Sequence, residues 1–291
     1  MGYVSTPRAC AACKDGVEQP FGFTMAFQPI IDVRTEQVFA YEALVRGLNG
    51  ESASTMLSAL TDTNRYAFDQ HCRVKAISLA SQLGLAKTGA MLSINFMPGA
   101  VYSPAACIQL TLQTAQQHRF PLEKLIFEIT EAEQVRDPGH LHNIVNEYRR
   151  RGFKIAIDDF GAGYCGLNLL AEFPADIVKL DMALTRNLRQ RPAALAIVKQ
   201  MVILAGILGS MVVAEGVETI EEYEALRALG IHLMQGYLFA QPAIEQLPAF
   251  RMPKAELAAA STQGPFAGEL YPPLMPPVMR GQRKLSILPN R

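Results

Sequence analysis

Lys154-Ile155-Ala156-Ile157-Asp158-Asp159-Phe160-Gly161-Ala162-Gly163-Tyr164 joins a short apolar run to two adjacent carboxylates and a glycine-bracketed turn. Neighbouring residues on a strand point to opposite faces, so consecutive aspartates converge on one point only where the strand ends and the backbone bends. Gly161 and Gly163 supply the permissive backbone for that bend. Taken alone, the stretch also fits a polar strand end followed by an ordinary turn. What favours a site is recurrence: apolar runs closing on polar groups appear all along the chain.

Downstream, a short helical piece over 167–172 precedes a strand over 176–181 that carries Lys179 and Asp181. A helix over 192–208 leads to a strand over 211–214 ending at Glu215-Gly216. A helix over 218–229 follows, and a last strand over 231–234 runs into Gln235-Gly236-Tyr237. Upstream, 138–151 is a helix stopped by Gly152, and its basic end Arg149-Arg150-Arg151 complements the helix dipole. Before it lie a strand over 124–129 entering Glu128-Ile129-Thr130-Glu131, a helix over 104–118 opened by Pro104, and a strand over 91–96 carrying Asn95. The stretch 54–85 is helical with a break near 61–64. Strands over 24–31 and 37–46 begin the set, and the short turn between them makes them pair antiparallel. Glu42 and Arg46 share one face of the second strand by period two. From the third strand onward the alternation of strand and helix implies a parallel sheet covered by helices. Eight strands imply closure. The expected fold class is therefore α/β, a modified TIM (β/α)8 barrel with an antiparallel first strand.

The chain has 291 residues, 49% apolar and 19% charged, which suits one barrel with a large core. Its 27 basic and 27 acidic residues argue against binding a nucleic-acid polymer or a membrane surface through a general field. A phosphate ligand would have to be met by a local site. Residues 1–20 are polar, without a secretory signal, and read as an N-terminal extension. The most apolar run, 201–214, is too short to span a bilayer, so a soluble, cytoplasmic protein without membrane insertion is expected. Cysteines stand at 10, 13, 72, 107 and 165, an odd count that argues against a disulfide scaffold. Cys10 and Cys13 have the spacing of half a zinc or redox motif, but no second pair follows. The barrel is expected over 21–250. Beyond it, 251–291 holds seven prolines and six basic residues against two acidic, which reads as an extended, largely disordered and passive tail, with a segment that binds a protein partner as the alternative.

In an α/β barrel the chemistry lies at the C-terminal ends of the strands. Those ends carry Glu42, Asn95, Glu128, Asp158, Asp159, Lys179, Asp181, Glu215 and Gln235. A set of oxygen donors without His or Cys suits Mg²⁺ or Mn²⁺ better than zinc. Six converging carboxylates cannot all stay ionised without cations to balance them, and one lysine is too few. Two divalent ions about 3.5–4 Å apart, sharing a carboxylate, are the usual apparatus of phosphodiester hydrolysis. Asp158-Asp159 is placed to be that bridge. A glycosidase with paired carboxylates would account for two of the acids but not for Asn95, Lys179 and the others.

Glu42-Ala43-Leu44, followed by Val45-Arg46, resembles the signature of the EAL-domain family of cyclic di-GMP phosphodiesterases. Other blocks similar to that family follow the same order: Gln28-Pro29-Ile30, Asn95, Glu128-Ile129-Thr130-Glu131, Asp158 to Tyr164, Lys179-Leu180-Asp181, Ala214-Glu215-Gly216-Val217-Glu218 and Gln235-Gly236-Tyr237. The resemblance covers roughly 22–248 and implies hydrolysis of cyclic di-GMP to linear pGpG with two Mg²⁺ or Mn²⁺ ions. It implies that Glu42, Asn95, Glu128 and Asp158 hold the first metal. Asp159, with Asp158 and either Glu215 or Asp181, serves the second. Lys179 would orient or help activate the water, and Glu215 resembles the family's general base. Gln28, Arg46 and Gln235 resemble substrate contacts. Glu131 and Glu218 resemble residues that support the ligands from behind, Glu131 by anchoring the loop 159–166 near a homodimer interface. Two departures stand out: Gly47 replaces a frequent tryptophan, and the loop reads Gly161-Ala162-Gly163-Tyr164-Cys165-Gly166. The alternative is a receptor that binds cyclic di-GMP without cleaving it, as degenerate members of the family do.

Overall fold

The computed structural model describes residues 21–61, 63–130, 138–163 and 166–253. In chain order these form β1 (Phe23–Asp32), β2 (Gln37–Gly47), α1 (Ala53–Ser58), α2 (Arg65–Gln82), β3 (Met91–Asn95), α3 (Pro104–Cys107), α4 (Gln109–Gln117) and β4 (Leu125–Thr130). They continue with α5 (Pro138–Arg150), β5 (Lys154–Phe160), α6 (Gly166–Glu172), β6 (Ile177–Leu180), α7 (Met182–Thr185), α8 (Pro192–Leu208), β7 (Met211–Ala214), α9 (Ile220–Ala228), β8 (Leu233–Met234) and β9 (Ala243–Ile244).

Strands β2 to β8 pair in sequence order, all parallel. β1 closes the ring and runs antiparallel to both β2 and β8. The expected barrel with an antiparallel first strand is the one the chain forms. β9 adds to β1 through Ala26↔Ile244 and Phe27↔Ala243, while β8 meets β1 at Ile31 and Asp32. Pro29, which has no N–H to give, falls in the gap between those two pairings. The helix expected over 104–118 is two helices, and α7 and β9 were not anticipated: two- and four-residue elements carry too little periodicity to be seen in sequence.

The barrel interior explains where the site lies. Ile30, Ala40, Met91, Ile126, Ala156, Ile177, Val213 and Leu233 form one apolar cluster, with one residue from each of β1 to β8. Side chains two apart on a strand share a face. Two positions nearer the strands' C-terminal rim (two earlier on the antiparallel β1) stand Gln28, Glu42, Ser93, Glu128, Asp158, Lys179, Glu215 and Gln235. An apolar plug is thus overlaid by a wholly polar layer. The intervening residues, such as Phe127, Ile155, Ile157, Val178 and Leu180, belong to the larger core beneath the helices. That double burial is why β4 and β5 read as apolar runs.

Candidate functional site

Lys179 is the centre of the polar layer. Its Nζ lies 2.7 Å from Glu215 Oε1, 2.8 Å from Asp158 Oδ1, 3.0 Å from Glu128 Oε2 and 3.4 Å from Glu42 Oε2. Burial works against its charge, but the carboxylates of Asp158, Glu128, Glu215 and Glu42 outweigh that and hold its proton well above the usual lysine range. Burial pushes the Glu128 carboxyl well up, opposed by Lys179 and reinforced by Glu42 and Asp158. Glu215 is likewise raised, first by burial and then by Asp158.

Neutral groups complete the layer. Ser93 Oγ donates to Glu128 Oε1 at 2.5 Å. Gln235 Nε2 donates to Glu42 Oε2 at 2.8 Å and to Gln28 Oε1 at 3.2 Å, while Gln28 Nε2 donates to the Ala240 carbonyl at 3.1 Å. One level nearer the rim, Asn95 Nδ2 donates to Glu42 Oε1 at 3.0 Å. Gly236 follows Gln235 under backbone so close that a Cβ there would lie 2.0 Å from the Val217 carbonyl oxygen. Only glycine lets the β8 end fold down in this way.

Asp158 and Asp159 converge, but not because the strand stops. β5 runs on to Phe160, and its register against β6 slips between Ile157↔Val178 and Phe160↔Leu180. Three steps on β5 therefore face two on β6, a bulge, and Asp159 takes the left-handed conformation with φ 54°. Aspartate tolerates that region better than most residues. The bend expected from the glycines begins two residues before Gly161, in the carboxylate itself. Burial and the neighbouring Asp158 push the Asp159 carboxyl up to about 6, against the pull of Lys179.

Two carboxylate triads result. Glu42, Glu128 and Asp158 bring one oxygen each within 4.8 Å of one another, and so do Asp158, Asp159 and Glu215. Asp158 belongs to both. Its buried Oδ1 lies beside Lys179 yet makes no hydrogen bond of proper geometry among the described residues. Five carboxylates around one ammonium, an orphaned buried oxygen and a donor set of oxygens alone fit hard divalent cations. A cavity of about 400 Å³ opens on this cage beside Asn95, Asp158 and Asp159. A second, of about 260 Å³, opens beside Gln28, Asp181, Gln235 and Tyr237, and the two share Glu42, Leu44 and Glu215.

Other expected site residues stand apart from the cage. Asp181 caps α7, its Oδ1 accepting the Ala183 N–H at 2.7 Å, and lies outside both triads. Arg46 folds back, Nη1 donating 2.7 Å to the Val45 carbonyl. Glu218 pairs with Arg186 at 2.6 Å, and its N–H donates to Glu222 Oε2 at 3.0 Å. At Gly47, the space of the missing side chain is filled by Glu51, whose Oε2 would lie 2.0 Å from a Cβ there. Glu131, Tyr164, Cys165, the extension with Cys10 and Cys13, and the tail from 254 lie outside the described residues. Among the described residues, no helix is long and apolar enough to cross a membrane. Ser93 was missed although its place two residues before Asn95 puts it on the inward face.

The sequence model of the EAL domain matches residues 14–242. The chain is 32% identical over 233 residues to the cyclic di-GMP phosphodiesterase PA2567 of Pseudomonas aeruginosa, covering 78% of this chain and 39% of that protein. It is 28% identical over 229 residues to the blue light- and temperature-regulated antirepressor BluF of Escherichia coli, covering 79% of this chain and 56% of BluF. The chain thus spans about half the length or less of these curated relatives. In structure it resembles a standalone EAL protein from Vibrio cholerae O395 in its c-di-GMP bound form, with TM-score 0.77, 52% identity, and coverage of 80% of this chain and 97% of that one. It also resembles the manganese/cy-diGMP complex of BlrP1 from Klebsiella pneumoniae, with TM-score 0.72, 36% identity, and coverage of 79% and 57%.

Proposed function

The chain belongs to the EAL-domain family, and from that premise we propose that it hydrolyses cyclic di-GMP to linear pGpG with the help of two divalent cations. The observation that carries this reading is Asp158, shared by two carboxylate triads at the barrel mouth. Glu42, Asn95, Glu128 and Asp158 would hold one Mg²⁺ or Mn²⁺, and Asp158, Asp159 and Glu215 the other. Asp181, with one oxygen engaged in capping α7, is the lesser candidate for the second. Two such ions, when bound, supply positive charge beside the phosphate oxygens and make the attacking water more acidic.

The chain's own residues do the rest. The water oxygen bonds to phosphorus in line with the 3′-oxygen, the bond to that oxygen breaks, and the leaving oxygen takes a proton from solvent. The water's proton goes to the Glu215 carboxylate, which lies in the second triad beside Asp158 and Asp159. Lys179 keeps its own proton, so its part is to orient the water and the carboxylates rather than to accept. Gln28 and Gln235 offer amide groups to the substrate. Arg46 serves a phosphate oxygen after leaving the Val45 carbonyl.

The test is turnover of cyclic di-GMP by the purified full chain with Mn²⁺ or Mg²⁺, with pGpG identified chromatographically, in the presence and absence of chelator. Glu42→Ala should abolish product. Calcium should inhibit, because its looser coordination misplaces the water. Tight binding without product would instead mark a receptor, a reading kept open by the antirepressor among the relatives. Homodimerisation and a cytoplasmic location are proposed on the family resemblance; a monomer mass by sedimentation at micromolar concentration would refute the former.

A further inference from the structure

Behind the mouth, on the outer face of β3 and β4, lies a buried ionic network that the reaction above does not use. α2 contributes Asp69 and Arg73, and α5 contributes Tyr148, all buried. Asp69 and Arg73 form an ion pair, and Arg73 Nη1 donates 2.7 Å to the Tyr148 hydroxyl oxygen. The guanidinium carbon sits 5.3 Å from the centre of the Phe96 ring and 5.6 Å from that of Phe127. Asp69 Oδ1 accepts the N–H of Met97 at 2.9 Å.

The partners of this network flank two groups of the cage. Phe96 follows Asn95 and Phe127 precedes Glu128, so the rings face outward where Asn95 and Glu128 face in. The Phe96 N–H donates to the Glu128 carbonyl at 3.1 Å, and the next N–H, that of Met97, goes to Asp69. The backbone leaving Asn95 is therefore tied at two successive residues. A buried ion pair is a poor source of net stability, because desolvation offsets the attraction. Here Arg73 Nε, moreover, has no hydrogen-bond partner among the described residues. An apolar filling would serve packing as well, but it could not hold the Met97 N–H.

We propose that Asp69 and Arg73, braced by Tyr148, are positioning residues that fix the ends of β3 and β4, so that Asn95 and Glu128 meet a divalent cation in one geometry. This rests on the metal reading above. The test is calorimetric titration of Mn²⁺ into the full chain and its variants, each first shown to be folded by circular dichroism. Asp69→Ala should weaken the tighter Mn²⁺ site by about 10- to 100-fold, the range for groups that orient metal ligands. Tyr148→Phe, which removes one oxygen and keeps the ring, should weaken it severalfold. Ile77→Val, buried on the same helix and not itself a hydrogen-bonding member of this network, should leave affinity unchanged. If the wild type takes up no manganese, the metal reading falls and this one with it. If the wild type binds while both Asp69→Ala and Tyr148→Phe bind within twofold of it, only the positioning role is overturned.

Discussion

Lys179 stands in for cations: with its proton held, it is the counter-charge of four carboxylates. Replacing it by alanine leaves those groups buried against one another, which costs about 3–5 kcal/mol for an uncompensated buried charge. Lys179→Ala should therefore lower the melting temperature of the metal-free protein, and saturating manganese should recover much of the loss; equal loss in both conditions would count against the cage. Asp159 makes a second prediction. Its carboxyl titrates at about 6 in the folded chain against an ordinary 3.8. The folded state thus holds this proton more tightly than the unfolded one. Its contribution to stability is present below the ordinary value and is lost as pH rises through about 6. Metal binding needs the ionised form, so the linkage runs the other way for the loaded protein. Manganese affinity at about pH 5 should be roughly tenfold weaker than at about pH 7.5, read by titration calorimetry. The adjacency of these aspartates was plain in the sequence. Which backbone conformation let both face one cage was not, because a bulge depends on the register with β6.

Among the elements, the ends of the strands matter more than their middles. The β8 end reaches the site only because Gly236 passes under Val217. Gly236→Ala must push that backbone away, so it should destabilise the fold by more than about 3 kcal/mol and displace Gln235 from Glu42, seen in denaturant melts. α9 supplies a milder test. Thr219 and Glu222 form a capping box at its start. Thr219→Ala should cost about 1 kcal/mol and leave Mn²⁺ affinity unchanged, since the cap touches no cage residue. The long elements were legible from periodicity, among them α8 over Pro192–Leu208 and β7 over Met211–Ala214, whose expected and observed bounds coincide. α7 was not, although Asp181 before it is an ordinary capping residue, because one helical turn leaves no repeat to read.

Among the described residues, one barrel carries both the apolar core and the site. The apolar cluster at its centre and the polar layer above it lie on the same inward faces of the same eight strands. Cations that bind the folded cage and not the unfolded chain should stabilise the whole cooperative unit. At a hundredfold excess over the dissociation constant the gain is about 2.7 kcal/mol, or roughly 5–10 °C in melting temperature if each kcal/mol is worth about 2–4 °C. A chelator should reverse it, and Glu42→Ala should abolish it.

The order of residues along the chain was enough to reveal strand–helix alternation, the antiparallel opening hairpin and a series of polar strand ends. Each of those signals is local, a matter of period, turn length and side-chain chemistry over a few positions. Closure of the barrel decided the rest. It put Lys179 amid carboxylates from four other strands, made Asp158 common to two triads and brought Asp69 behind Asn95. Such contacts join positions far apart in sequence, and only the packing of strands and helices in space sets the distances between them.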